Sequence, residues 1–130
     1  MSDPVMFVSH FKIKEGAHDG FMRLTTGVTE RLASEKPRTL VFLVYLDERR
    51  ARATFVHVFG DAESMDLHFQ GSEERGRAAF EFVEPEGWEF YGRLSDTALE
   101  TMRQTATAAG VPLTVEPNYV AGFLRLGSGG

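Results

Sequence analysis

Two of the four histidines, His57 and His68, stand in the run ATFVHVFGDAESMDLHF at residues 53–69. Imidazole takes up and returns a proton near neutral pH, so each is a candidate proton acceptor or ligand. Phe42, Tyr45, Phe55, Met65 and Phe69 would surround them with apolar walls and few polar tips, and His10 is a further candidate for the lining. Plainer roles stay open at the same positions. His57, sharing a strand face with Phe55 and Phe59, could be a hydrogen-bonded core residue, and His68 could pack its ring and bond a nearby carbonyl. His57, Asp61, Asp66 and His68 form no compact H-x-H or H-x-x-x-H pair, so no metal site is expected.

The elements that must position these residues follow from periodicity. Thr54 to Phe59 is β-branched and aromatic, as a strand requires; Gly60 breaks it, and Asp61 stands at a helix N-cap position with Glu63 in the first turn. On that helix Met65 and Phe69 lie one turn apart. Upstream, residues 5–13 read as a first strand with Val5, Phe7, Ser9, Phe11 and Ile13 on one face and Met6, Val8, His10 and Lys12 on the other. A helix follows to about Glu35 on the stripe Phe21, Leu24, Val28 and Leu32. Residues 38–47 make a second strand, turning at Asp47-Glu48-Arg49-Arg50. Beyond Gly71 and Gly76 the second helix is expected to resume with Ala79, Phe80 and Val83 buried, then a loop at Glu84-Pro85-Glu86-Gly87 and a fourth strand over residues 88–94.

The order is β-α-β-β-α-β, a ferredoxin-like α+β fold with an antiparallel sheet and a C-terminal helix-plus-strands extension. One domain of 1–130 is expected, with its core at about 5–94, the extension at 95–126 and a flexible glycine-rich tail at 127–130. In the extension, Asp96 would cap a helix ended by Gly110 and Pro112, and residues 113–116 and 119–126 would form two short strands.

Composition excludes several functions. A net charge of -5 argues against nucleic acid as a partner. With no cysteine there is no disulfide, thiolate metal site or cysteine nucleophile. No G-x-G-x-x-G, P-loop or G-x-S-x-G supports nucleotide binding or serine hydrolysis. Without a signal-like start or a long apolar run, a cytoplasmic protein with no membrane partner is expected. Strands one to three are apolar on both faces, yet helices cover only one face of such a sheet. A homodimer through the open sheet face is the expected cover; the extension folding back over it is the alternative.

The first strand running through Lys14-Glu15-Gly16 into an amphipathic helix resembles the start of an antibiotic-biosynthesis-monooxygenase-like domain. The passage Phe59-Gly60-Asp61-Ala62-Glu63-Ser64 leading to His68 is similar to that family's strand-to-helix passage. The match spans about residues 5–94, and the extension lies outside it. The resemblance implies ferredoxin-like subunits paired into a dimeric α+β barrel. It also implies oxygenation of an apolar aromatic small molecule, quinol- or anthrone-like, with no metal, flavin or other cofactor. His68 would be the base on a phenolic proton and His57 or Tyr45 an orienting group; His10, Phe42, Phe55, Met65 and Phe69 would line the pocket. Haem-degrading relatives combine a first-strand Asn with a Trp and a His, whereas here that strand offers Ser9 and His10, and Trp88 lies on the fourth strand. The alternative is a non-catalytic binding or stress-related dimeric module, and beyond it a structural dimer whose interior is filled.

Overall fold

The structure is a computed structural model that describes residues 3–125, so the tail at 127–130 lies outside the described residues. Five strands and four helices follow in the order β1 (Val5–Ile13), α1 (His18–Glu35), β2 (Thr39–Leu46), β3 (Arg52–Phe59), α2 (Ala62–Phe69), α3 (Ser72–Ala79), β4 (Val83–Tyr91), α4 (Asp96–Ala109) and β5 (Leu113–Glu116). They form one sheet in the spatial order β2-β3-β1-β4-β5. The first four strands pair antiparallel in the ferredoxin-like arrangement, and β5 adds parallel to β4, making the sheet mixed.

Local chemistry explains the boundaries. Asp61 caps α2 as expected, accepting the Ser64 N–H at 2.8 Å. The cap of α4 is Ser95, whose hydroxyl accepts the Ala98 N–H at 3.2 Å; Asp96 instead occupies the first turn. Gly110, at φ 69°, closes α4 in the left-handed conformation that glycine accepts without strain. Gly20 leaves the space that the Phe82 ring fills, since a Cβ there would meet the ring at 2.4 Å.

Three further expectations are corrected. The fourth strand begins at Val83, so Glu84 to Gly87 belong to β4. His10 faces Gly87 while Phe11 faces Pro85, so Glu86 is the extra residue of a bulge, and a bulge is where a strand tolerates proline. Phe80 is 42% exposed, because α3 ends at Ala79 and the chain turns before the ring can reach the core. Residues 119–125 are irregular and largely exposed; the remainder of the expected last strand lies outside the described residues.

Strand alternation places Val5, Phe7, Phe59, Trp88 and Phe90 on the helix-covered face, where they pack with Met65 of α2 and Ala98, Met102 and Ala106 of α4. A second cluster joins Ile13, Phe21, Ala53 and Val83. The extension therefore folds onto the helical side and the sheet edge, and leaves the opposite face open. Phe90 is fully buried, stacked on Phe7 with centroids 4.4 Å apart. Phe90→Ala should cost about 3–5 kcal/mol in denaturant unfolding; a loss below about 1 kcal/mol would show that this ring is not a core element.

Candidate functional site

Between the helical side of the sheet and the helices lies a cavity of about 1130 Å³. Its floor is the inner face of the sheet, with Phe7, Ser9 and Phe11 from β1, Phe42 from β2, Phe55 and His57 from β3, and Trp88 from β4. Leu24, Thr25, Val28 and Leu32 of α1 form one wall, and Ala98, Thr101, Met102 and Thr105 of α4 form another. His68, Phe69 and Arg75 close the end built by α2 and α3. The interior is thus not filled by its own side chains.

The two histidines meet at one corner of this space. β3 pairing sets His57 opposite Phe7 of β1 and Phe42 of β2, so its ring lies on the inner face. It stacks on Phe7 with centroids 4.5 Å apart, and its Nδ1 lies 3.1 Å from the Phe7 carbonyl oxygen. A carbonyl can only accept, so the proton is on Nδ1 and Nε2 of the neutral ring carries a lone pair. His68, one helical turn after Met65 and Ser64, meets His57 edge to face at 5.1 Å. Its Nδ1 is 2.8 Å from Thr39 Oγ1, and because a hydroxyl both donates and accepts, either tautomer of His68 is compatible with that contact. Among the described residues the only fully buried side-chain polar atom lacking a partner is His18 Nε2, so the free Nε2 atoms of both cavity histidines are reachable from the open space.

Of the residues expected at the site, His57, His68, Phe42, Phe55 and Phe69 come together around the cavity. Tyr45 does not. It faces Thr54 on the opposite side of the sheet and is 59% exposed, because it is odd-numbered on a strand whose even positions point inward. His10 also lies on that outer face, where its Nε2 contacts Glu89 Oε2, while the Tyr91 hydroxyl donates to Glu89 Oε1 at 2.5 Å. Met65 is wholly buried in the core beneath the cavity rather than on its wall. Sequence reasoning missed Arg75, Thr39 and the α4 wall. Arg75 stands among several charges on a polar helix, and only the turn at Gln70-Gly71 brings it back to His68, whose carbonyl oxygen accepts from its Nη2 at 2.6 Å. No group of three or more metal-ligating side chains occurs among the described residues.

No protein-family model and no curated protein matches the sequence. Solved structures do match in shape. MupZ from Pseudomonas fluorescens aligns over 95% of this chain and 97% of its own, with 16% identity and a TM-score of 0.73. SnoaB from Streptomyces nogalater, a cofactor-independent oxygenase, aligns over 71% of this chain and 94% of its own, at 17% identity and TM-score 0.58. A protein from Caulobacter crescentus CB15, provisionally named as an antibiotic biosynthesis monooxygenase, aligns over 68% of this chain and 88% of its own, at 12% identity and TM-score 0.60. The chain therefore has the ferredoxin-like fold of antibiotic-biosynthesis-monooxygenase-like domains. No helix among the described residues is long and apolar enough to cross a membrane.

Protonation at the corner is set by burial. Desolvation pushes His57 down to about 4, against a smaller opposing effect of the Phe7 carbonyl. Desolvation is also the main cause that pushes His68 down to about 3, with His57, Arg75 and Lys36 adding repulsion. Both rings are neutral at pH 7. Because their folded values lie below the unfolded value, the unfolded chain binds more protons as the pH falls through about 6.5, and stability drops from there down toward about 4. The slope should approach 1.4 kcal/mol per pH unit for each ring. Unfolding measured between pH 7 and 5 should show it, and a His57→Phe/His68→Phe double variant should flatten the profile. A wild-type profile already flat over that range would mean the rings are not held neutral.

Proposed function

We propose that the protein is a cofactor-independent oxygenase of a quinol- or anthrone-like aromatic. The observation that carries this reading is the pair of neutral histidines with open Nε2 atoms facing a cavity walled by aromatic rings. A flat polycyclic substrate fits such walls by packing against Phe42, Phe55 and Trp88. The fold shared with SnoaB, itself a cofactor-independent oxygenase, supports the same class.

His57 is the better proton acceptor, since the Phe7 carbonyl fixes its lone pair at Nε2. This moves the base from His68, the sequence-based choice, to its neighbour. His68, in the tautomer whose Nδ1 accepts from Thr39, presents an Nε2–H that can hold the substrate oxygen. Removal of a proton from an anthrone-type CH2, or its enol, leaves a carbanion that reacts with O2 to form a C–O bond. Protonation gives a hydroperoxide; loss of the second C–H proton with O–O cleavage then yields the ketone and one water. Carbon is oxidised by four electrons and O2 is reduced by four, so no further reductant is required.

A second reading, binding without turnover, is favoured by one observation. No carboxylate bonds either cavity histidine among the described residues, so neither ring has the partner that raises basicity in the common catalytic pairs.

The assembly we infer is a homodimer through the open sheet face. Met6, Val41, Leu43, Val56 and Val58 present an aliphatic surface there that this chain's own described residues leave at least partly uncovered. Leu43→Lys combined with Val56→Lys should convert the dimer to monomer in sedimentation velocity, and a monomeric wild-type protein would overturn the assignment. For the chemistry, metal-free protein should consume O2 with an anthrone or hydroquinone. His57→Gln should slow uptake by at least about 100-fold, the usual weight of a general base. His68→Gln, which keeps a donor, should retain a tenth or more. Full uptake in His57→Gln would remove that residue as the base, whereas saturable binding with no uptake would favour the binding module.

A further inference from the structure

We propose that the cavity takes an aromatic ligand bearing a carboxylate, with the carboxylate seated on Arg75. This rests on the reading of the cavity as the ligand site and adds the charge the ligand carries there.

Arg75 lies on α3 and lines the cavity at the end occupied by His68. Its Nη2 donates to the His68 carbonyl oxygen at 2.6 Å and its Nη1 to the Gln70 carbonyl oxygen at 3.2 Å. A guanidinium has five N–H donors, so these two bonds leave three uncommitted. Among the described residues no carboxylate comes within 4.0 Å of Arg75. The other charges on the cavity wall are engaged: Glu73 pairs with Arg77 at 3.9 Å, and Asp66 accepts the Ser95 hydroxyl at 2.9 Å. Lys36, bonded to the Leu67 carbonyl oxygen at 2.8 Å, is a second cation near His68 that has no carboxylate partner among the described residues. The carbonyls at the end of α2 are thus held by two cations; the charges of Glu35 and Arg31 also act on Arg75, but neither Arg75 nor Lys36 has a carboxylate within 4.0 Å among the described residues.

Capping a helix C-terminus accounts for two donors of Arg75 and for a fraction of its charge. It does not account for a half-buried guanidinium facing an apolar cavity with donors to spare. Such a group is stabilised by an anion that enters with the ligand, and the planar fork of a guanidinium matches a carboxylate in geometry. With both histidines neutral at pH 7, Arg75 is the charge on the cavity wall that selects for the anion.

The test uses 2-naphthoate and 2-naphthamide, which differ in charge and hardly in shape, titrated calorimetrically into the full chain at pH 7. Naphthoate should bind about tenfold or more tighter, the usual worth of a charge-assisted hydrogen bond. In Arg75→Gln that ratio should fall to near one while naphthamide affinity changes little. Arg75→Lys, which keeps the charge and can still reach a carbonyl of α2, should retain part of the preference, and this separates ligand recognition from loss of the cap. Equal affinities in the wild type, or a preference that survives Arg75→Gln, would overturn the inference and leave the aromatic cavity standing. Failure of both compounds to bind would overturn the cavity reading as well.

Discussion

The hydrogen bond from His57 Nδ1 to the Phe7 carbonyl is where the fold and the chemistry depend on each other. A buried imidazole without a partner costs on the order of 1–3 kcal/mol, and here the partner is the backbone of the neighbouring strand. The bond exists only because β1 and β3 pair with Phe7 opposite His57. A slip of one residue would turn His57 to the outer face and set Val56 or Val58 inward. The inner residues on both strands hold that register: Val5 faces Phe59, Phe7 faces His57 and Ser9 faces Phe55. The same bond fixes the tautomer, so the packing that stabilises the sheet also decides which nitrogen is open to the cavity.

Much of this was legible in the sequence, for reasons that also explain the rest. The strand-to-helix passage at residues 53–69 was readable because Gly60 and Asp61 punctuate it chemically, and the Asp61 cap forms as expected. The face assignment of β2 was not readable. Leu40, Phe42, Val44 and Leu46 alternate with Val41, Leu43 and Tyr45, and both sets are apolar, so alternation carries no signal about which side meets the helices. Only pairing with β3 decides, and it sends Phe42 into the cavity and Tyr45 outward. His10 went to the outer face by the same parity, beside Glu89 and Tyr91. The start of β4 was hidden by Pro85 and Gly87, which read as a loop until the bulge opposite His10 and Phe11 accommodates them. Arg75 could not be assigned at all, since what it touches is set by the turn at Gln70-Gly71 and not by its helix.

The α4 wall shows what the extension contributes. Without α4, Val5, Phe7, Phe59, Trp88 and Phe90 would lose the cover supplied by Ala98, Met102 and Ala106 on the inner face of the sheet. The helix that completes the core with these three residues also turns Thr101 and Thr105 toward the cavity. Thr105 spends its hydroxyl hydrogen on the Thr101 carbonyl at 2.8 Å, which leaves its oxygen as an acceptor. Opposite the aromatic floor stands a weakly polar wall, so the cavity is two-sided: stacking on one side and hydroxyl contact on the other.

A histidine pushed to about 4 is a weak base, and the size of the penalty decides whether it can serve. Moving a proton to it from a phenol of ordinary acidity, near 10, is uphill by about six pH units, on the order of 8 kcal/mol. That equilibrium leaves about one bound substrate in 10⁶ deprotonated at any moment, and the rate of the O2 step is scaled down by that fraction. The depressed basicity therefore slows proton removal without forbidding it. The transfer also changes the balance it starts from: it creates an imidazolium beside an organic anion in a site with little water, where opposite charges attract more strongly than in solvent. Burial that holds His57 neutral also penalises the imidazolium that the transfer creates, and attraction to the substrate anion offsets that penalty only in part. Arg75 and Lys36, two cations at the same corner, favour the organic anion that must form before O2 can react, and so recover part of that cost.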